Sequence, residues 1–128
     1  MRFALITGTR RDTRAGACWA YLDEVKPDAV IAGGARGIDA EARLWTQQRG
    51  AFLLEAPAPW RPQAPRPDGL SYDPTAGMKR NQFMAVVAAA LKAHDHELIG
   101  AGFPDKSSIG TFDALRRFRA LAIPVESR

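Results

Sequence analysis

One cysteine, Cys18, occurs in the 128 residues, so no internal disulfide staples the fold. Its setting in AGACWAYL predicts a small apolar side chain packed in a helix rather than a reactive thiol. No apolar run approaches the roughly 20 residues of a membrane span, and no membrane partner is expected. The amino-terminal stretch MRFALITGTRR turns polar at Gly8 and continues into arginines instead of a small-residue cleavage site, which predicts a cytoplasmic protein. A Lys/Arg-rich tail, internal repeats and a second compositional domain are all missing. Two histidines, His94 and His96, lie two apart at an expected helix end without a third ligand nearby, so they read as a solvated terminus and no metal is assigned. No cysteine cluster or Ser/His/Asp arrangement can be read.

What remains is an ordinary globular composition, 46% apolar and 25% charged, with a net charge of +4. A chain of this length forms one domain, residues 1–128, that buries roughly two-thirds of its unfolded surface. The basic balance suits a polyanion without distinguishing a nucleotide from nucleic acid. Arg10, Arg11 and Arg14 follow the first apolar run, Arg36 lies among glycines, and Lys79 and Arg80 open a later helix. Arg116, Arg117 and Arg119 read as a solvated helix face.

Short apolar runs at Phe3 to Thr7, Ala29 to Gly33, Ala51 to Glu55, Glu97 to Gly102 and Ile123 to Glu126 show no clean alternation, as expected of strands covered on both faces. Helical spacing fills the intervals at Thr13 to Val25, Ile38 to Arg49, Ala76 to His94 and Gly110 to Leu121. Strictly alternating strands and helices imply an α/β fold: a single three-layer Rossmann-like sandwich, with a mainly parallel five-stranded sheet and helices on both faces. The segment 56–74, APAPWRPQAPRPDGLSYDP, holds six of the nine prolines and can be neither a helix nor a central strand. It is a surface excursion or a lid, and Trp60 favours a lid because a large aromatic in a stiff loop covers a base or packed side chains at little ordering cost.

In open α/β sheets ligands lie outside the carboxyl ends of the strands. Here those ends are TGTRR, GGARGID, EAPAPW and AGFPDKSSIGT. Gly33 and Gly34 suit positive φ and close approach of backbone N–H groups to an anion, while Gly37 allows tight packing where the next helix starts. The same logic covers Gly8 and Thr9, and Ser107, Ser108, Gly110 and Thr111. The glycine turn is neither G-x-x-x-x-G-K-[ST] nor G-x-G-x-x-G, and it follows the second strand, which disfavours an ATPase phosphate loop and a dinucleotide-dependent dehydrogenase. Glu55 lies where a ribose-binding acid would stand, a weak sign by itself.

ITGTR, AGGARGIDAEARLW, PAPW, AGMKRNQFM and SSIGTFDALRRFRALAIPV, in this order, resemble the SLOG superfamily, and in particular its small YspA-like branch, related to LOG and to DNA-processing DprA/Smf proteins. The resemblance implies a Rossmann-like domain binding a nucleotide or nucleotide-derived molecule such as AMP, ADP-ribose or NAD, as a sensor. It places Gly8, Thr9 and Arg10 on one side of the pocket and Gly33, Gly34, Arg36 and Gly37 on a phosphate or ribose phosphate. Asp39 caps its helix or binds a ribose hydroxyl or an arginine. Arg80 forks onto phosphate or lies on the surface, with Asn81 donating and accepting beside it. Ser108, Gly110 and Thr111 complete the rim, Thr111 also suiting a plain helix cap, and Trp60 covers the ligand. Met78, Phe83 and Met84 are assigned to the core. A homodimer is implied by the resemblance, and no cofactor is required beyond magnesium accompanying a bound diphosphate.

Whether the chain is an enzyme stays open. LOG enzymes carry P-G-G-x-G-T-x-x-E, whereas this chain has Gly110 and Thr111 without the Pro-Gly-Gly and with Ala114 at the acid position. Asp113 is one residue away, turned about 100° on a helix. A hydrolase acting on an N-glycosidic or phosphate bond is the second reading. Single-stranded DNA binding is the third, because only Trp60 and Tyr72 offer stacking platforms.

Overall fold

The central strand of the sheet, β1 (Arg2–Gly8), is apolar on both faces and is flanked on both sides, which explains its unalternating sequence. In the computed structural model, which describes residues 1–128, it is followed by α1 (Ala17–Val25), β2 (Ala29–Ala32), α2 (Ile38–Arg49), β3 (Phe52–Glu55), α3 (Ala76–Ala93), β4 (Glu97–Phe103), α4 (Ile109–Ala120) and β5 (Val125–Ser127). The strand order is β3-β2-β1-β4-β5 and every pairing is parallel, a Rossmann-like arrangement. Ala4 and Ile6 face the core against α1 and α2, which includes Cys18, Tyr21, Leu22 and Trp45. Leu5 points the other way, into a second core with Ile31, Met84, Ala88 and Phe118. The chain winds outward from β1 to β3 and then returns to the opposite side of β1, so the connections that leave the paired ends of β1 and β4 go to opposite faces, a topological switch point.

Burial raises the Cys18 thiol far above its ordinary value, as expected of an inert core residue. Elsewhere the structure corrects the sequence reading. Helix α1 starts at Ala17 instead of Thr13: Asp12–Arg14 form a single 3-10 turn, and Gly16 takes a left-handed φ of 85° that breaks continuity between them. Strand β5 starts at Val125, because the Ile123 N–H is spent on the Phe118 carbonyl at the tail of α4. Strand β3 is not covered on both faces. Phe52 is 70% exposed, and Leu54, which shares a face with Ile31, is also exposed, because α3 packs over β4 and α4 over β1, β4 and β5. Phe83 is exposed as well, since the packed side of α3 carries Asn81, Met84, Ala85 and Ala88.

The glycine turn brings backbone close to the end of β1. Gly37, with φ 68° and ψ −123°, lies against the Thr9 carbonyl, and a side chain there would meet the Arg10 backbone carbon at 2.8 Å. The Ile38 N–H can therefore donate to the Thr9 carbonyl at 3.2 Å, joining α2 to the end of β1.

Two carboxylates fix the loops around this end of the sheet. Asp73 anchors the Pro-rich loop, accepting from Lys79 Nζ at 2.5 Å, Thr75 Oγ1 at 2.6 Å and Thr75 N at 2.9 Å, with Arg66 Nη1 at 3.1 Å. Asp105 joins β1 to the β4–α4 loop, accepting from Thr9 Oγ1 at 2.6 Å, Ser107 N at 2.9 Å and Ser108 Oγ at 2.9 Å. Lys79 and Thr75 hold Asp73, and Thr9, Ser107 and Ser108 hold Asp105, well below the usual carboxylate range. Their stabilisation is complete above the unfolded value of about 3.9 and is lost as pH falls through the lower folded values. Urea midpoints measured from pH 5 down to pH 2 should fall steeply in the wild type. Asp105→Asn should lower the midpoint at pH 7 and flatten the acid slope, and parallel profiles for the two proteins would remove Asp105 as a source of acid sensitivity.

Candidate functional site

A cavity of about 360 Å³ opens at the carboxyl ends of β1 and β4, where the chain leaves the two strands. Thr7 to Arg11 form one wall and Asp105, Ser107, Ser108, Gly110 and Thr111 another; Gly77, Met78 and Arg80 from α3, with Trp60 and Pro74 from the Pro-rich loop, close it. Its size is that of a small-molecule site, but its lining is polar. In the first turn of α4, Ile109 N donates to the Ser107 carbonyl at 3.0 Å, whereas the N–H groups of Gly110 and Thr111 donate to no backbone carbonyl. They add their dipoles to the rim, and no side chain on Gly110 stands before them.

Arg80 is the unusual member. Its side chain is only 11% exposed, yet its nearest carboxylate oxygen, Asp39 Oδ2, is 4.0 Å from Nη1. Nε donates to Asn81 Oδ1 at 3.0 Å, and neither terminal nitrogen has a hydrogen-bond acceptor in the protein. Burial lowers its pKa from the ordinary value; Asp39 opposes that shift and Arg10 adds to it. Asp39 is shifted upward, again chiefly by burial, against the opposing pull of Arg80 and the N–H groups of Ala35 and Gly33. Its Oδ2 accepts from Ala35 N at 3.2 Å, and its buried Oδ1 has no partner. Gly33 makes room for both groups: a side chain there would run into the Arg80 guanidinium and lie 2.8 Å from Asp39 Oδ2.

The orientation of Arg80 is set from α4. Asn81, 1% exposed, donates from Nδ2 to the Gly110 carbonyl at 3.0 Å and to Asp113 Oδ2 at 3.1 Å. Asp113 in turn accepts from Arg116 Nη2 at 2.6 Å and Arg117 Nε at 2.9 Å. Burial alone would raise Asp113, but the hydrogen bonds from Arg117, Asn81 and Arg116 outweigh it and hold the carboxyl below its usual value. Arg116 and Arg117 thus do more than solvate a helix face.

Of the residues singled out in the sequence, Gly8, Thr9, Arg10, Trp60, Arg80, Ser108, Gly110 and Thr111 meet at the cavity. Gly33, Gly34 and Arg36 line adjoining shallow clefts, which Arg10 and Trp60 share with the main cavity. Gly37 abuts the Thr9–Arg10 backbone, while Asp39 and Asn81 are buried behind the wall. Asn81 therefore braces Arg80 instead of facing the cavity, and the Thr9 hydroxyl is committed to Asp105 and the Arg11 N–H. Met78, assigned to the core from sequence, is exposed and lines the opening. Asp105 was not singled out; its legible signal is D-x-S-S, a carboxylate placed to accept from the hydroxyls and N–H that follow it.

No curated protein sequence matches the chain. Among solved structures, MurG of Acinetobacter baumannii aligns with a TM-score of 0.55 and 14% identity, over 99% of this chain and 35% of that one. DNA processing protein A (DprA) of Streptococcus pneumoniae aligns with a TM-score of 0.47 and 12% identity, over 98% of this chain and 58% of that one. The chain thus spans about a third of MurG and somewhat over half of DprA, and the MurG likeness concerns the fold alone. Residues 4–62 match the YspA, cpYpsA-related SLOG family, over β1, α1, β2, the glycine turn, α2, β3 and the start of the Pro-rich loop. From Ala4 to Pro62 the chain carries the pattern of that SLOG family, the one its motifs resemble.

Proposed function

We propose that the chain binds a nucleotide or nucleotide-derived molecule through its phosphate at the switch-point cavity. The observation that carries this reading is Arg80, a largely desolvated guanidinium whose terminal nitrogens have no acceptor in the protein. A phosphate matches that fork in charge and geometry, and the free N–H groups of Gly110 and Thr111 supply further donors on the same cavity. The SLOG match supports a nucleotide-related ligand, with AMP, ADP-ribose and NAD as the compounds to try first.

Binding is favoured over hydrolysis by what the carboxylates are doing. Asp105 is the one carboxylate lining the cavity, and its hydrogen bonds keep it ionised, so it is a poor general acid at neutral pH. Ala114, at the position of the LOG acid, is fully buried, and Asp113 is turned to Asn81, Arg116 and Arg117. Magnesium does not fit a protein-held site here, because the Asp105 oxygens already accept from Thr9, Ser107 and Ser108.

Thermal unfolding with AMP, ADP-ribose, NAD, a cyclic dinucleotide or short single-stranded DNA tests the reading. A ligand at about 100 times its Kd stabilises the fold by about 2.7 kcal/mol. Arg80→Ala should keep the fold and weaken nucleotide binding by about 1.5 to 3 kcal/mol, the range for hydrogen bonds to a charged group. Stabilisation by DNA alone would transfer the site to nucleic acid, and a nucleotide shift undiminished in Arg80→Ala would take Arg80 out of it. The homodimer rests on the family resemblance. Light scattering should give twice 14.0 kDa, and a mass of 14.0 kDa would reject it.

A further inference from the structure

Three arginines lie over aromatic rings in this chain, and one of them differs from the other two. Arg49, over Trp19, also binds Asp23, and Arg128, over Tyr21, also binds Glu24 and Glu126. Arg10 lies 4.6 Å from the Trp60 ring centroid and makes no ion pair or side-chain hydrogen bond, while the Asp105 and Thr9 side chains are approached by its neighbour Arg11. The ring is its only partner. The backbone of Trp60 is held within the loop: its amide N–H donates to the Ala58 carbonyl at 2.9 Å, and its carbonyl accepts from Asp73 N at 2.7 Å, next to the clamped Asp73 carboxylate. The ring also stands beside α3, where a side chain at Gly77 would lie 3.8 Å from it. An aromatic surface thus lines the cavity that holds Arg80, covered by a cation with no other contact partner.

A purine presents a flat π surface to the same ring, and a phosphate at Arg80 would offer Arg10 the acceptor it lacks. We propose that Trp60 is the platform on which the ligand's base stacks, and that Arg10 and the base compete for that face, Arg10 leaving it for the phosphate. This rests on the phosphate-binding reading above and adds a preference for base-bearing ligands over sugar phosphates.

Isothermal titration with AMP and with ribose 5-phosphate separates the two ideas, since both compounds carry the 5'-phosphate and only AMP carries a base. The wild type should bind AMP about tenfold or more tightly than ribose 5-phosphate, within the range of one base–aromatic stack. Trp60→Leu should bring the two affinities together while leaving ribose 5-phosphate within about twofold of wild type, and Trp60→Phe should retain most of the preference. Arg10→Ala, which uncovers the ring without touching the loop, should widen the ratio. A preference intact in Trp60→Leu, or one that narrows in Arg10→Ala, overturns the proposal. Equal binding of AMP and ribose 5-phosphate by the wild type overturns the platform and leaves phosphate binding standing; binding of neither overturns both. If Trp60→Leu does not fold, the Trp60→Phe and Arg10→Ala ratios decide.

Discussion

Arg80 is held nearly out of water with its closest carboxylate 4.0 Å away, and much of the carboxyl end of the sheet is arranged around that fact. A cation in such a place is costly unless something directs and answers it. Direction comes from Asn81, which is buried and bonded to α4 at two points, so the arginine of α3 takes its orientation from the opening turns of its neighbour. Room comes from Gly33, the residue at which any side chain would strike the guanidinium. Three segments far apart in sequence meet at one group, and each contributes something a substitution would remove.

The other charges divide into those that are answered and those that are not. Asp73, Asp105 and Asp113 are each surrounded by donors and act as anchors for the Pro-rich loop, the β4–α4 loop and Asn81. The cations on the cavity wall are less well matched: Arg11 approaches Asp105 only at 4.0 Å, and Arg10 rests on a ring. An ionised carboxylate saturated by hydrogen bonds repels an incoming anion less than a bare one, because the donors around it offset its charge. The cavity therefore retains a positive balance although Asp105 lies in its wall.

Most of the scaffold was legible because the signals are local. Five apolar runs and four helical stretches each fall on an observed element, with α1 and β5 starting later than the sequence predicts; the glycine turn lies between β2 and α2, and the Gly-rich strand ends follow from backbone sterics alone. Errors arose where tertiary placement decides. That β3 has one bare face depends on which strands α3 and α4 cross, a matter of chain winding instead of residue type. Phe83 and Met78 look like core because α3 is apolar nearly all round, so its periodicity does not select a buried side. Asn81 is legible as a donor and acceptor beside Arg80, and it accepts from Arg80 Nε as expected, but its partners Gly110 and Asp113 on another helix do not follow from sequence adjacency. Asp105 shows the reverse: its turn is local, but its bond to Thr9 spans 96 positions.

Asp39 completes the logic of the buried arginine. Its upward shift arises from burial, and Arg80 is the leading influence that opposes that shift. An anion on the free end of Arg80 would draw on the same positive charge and bring a second negative charge near Asp39. Oδ1, buried without a partner, is the cost of this arrangement in the folded chain. A closer ion pair would satisfy Asp39 better and would also occupy the guanidinium. The looser spacing leaves Arg80 positioned by Asn81, 4.0 Å from the Asp39 carboxyl, with terminal nitrogens open to a third group.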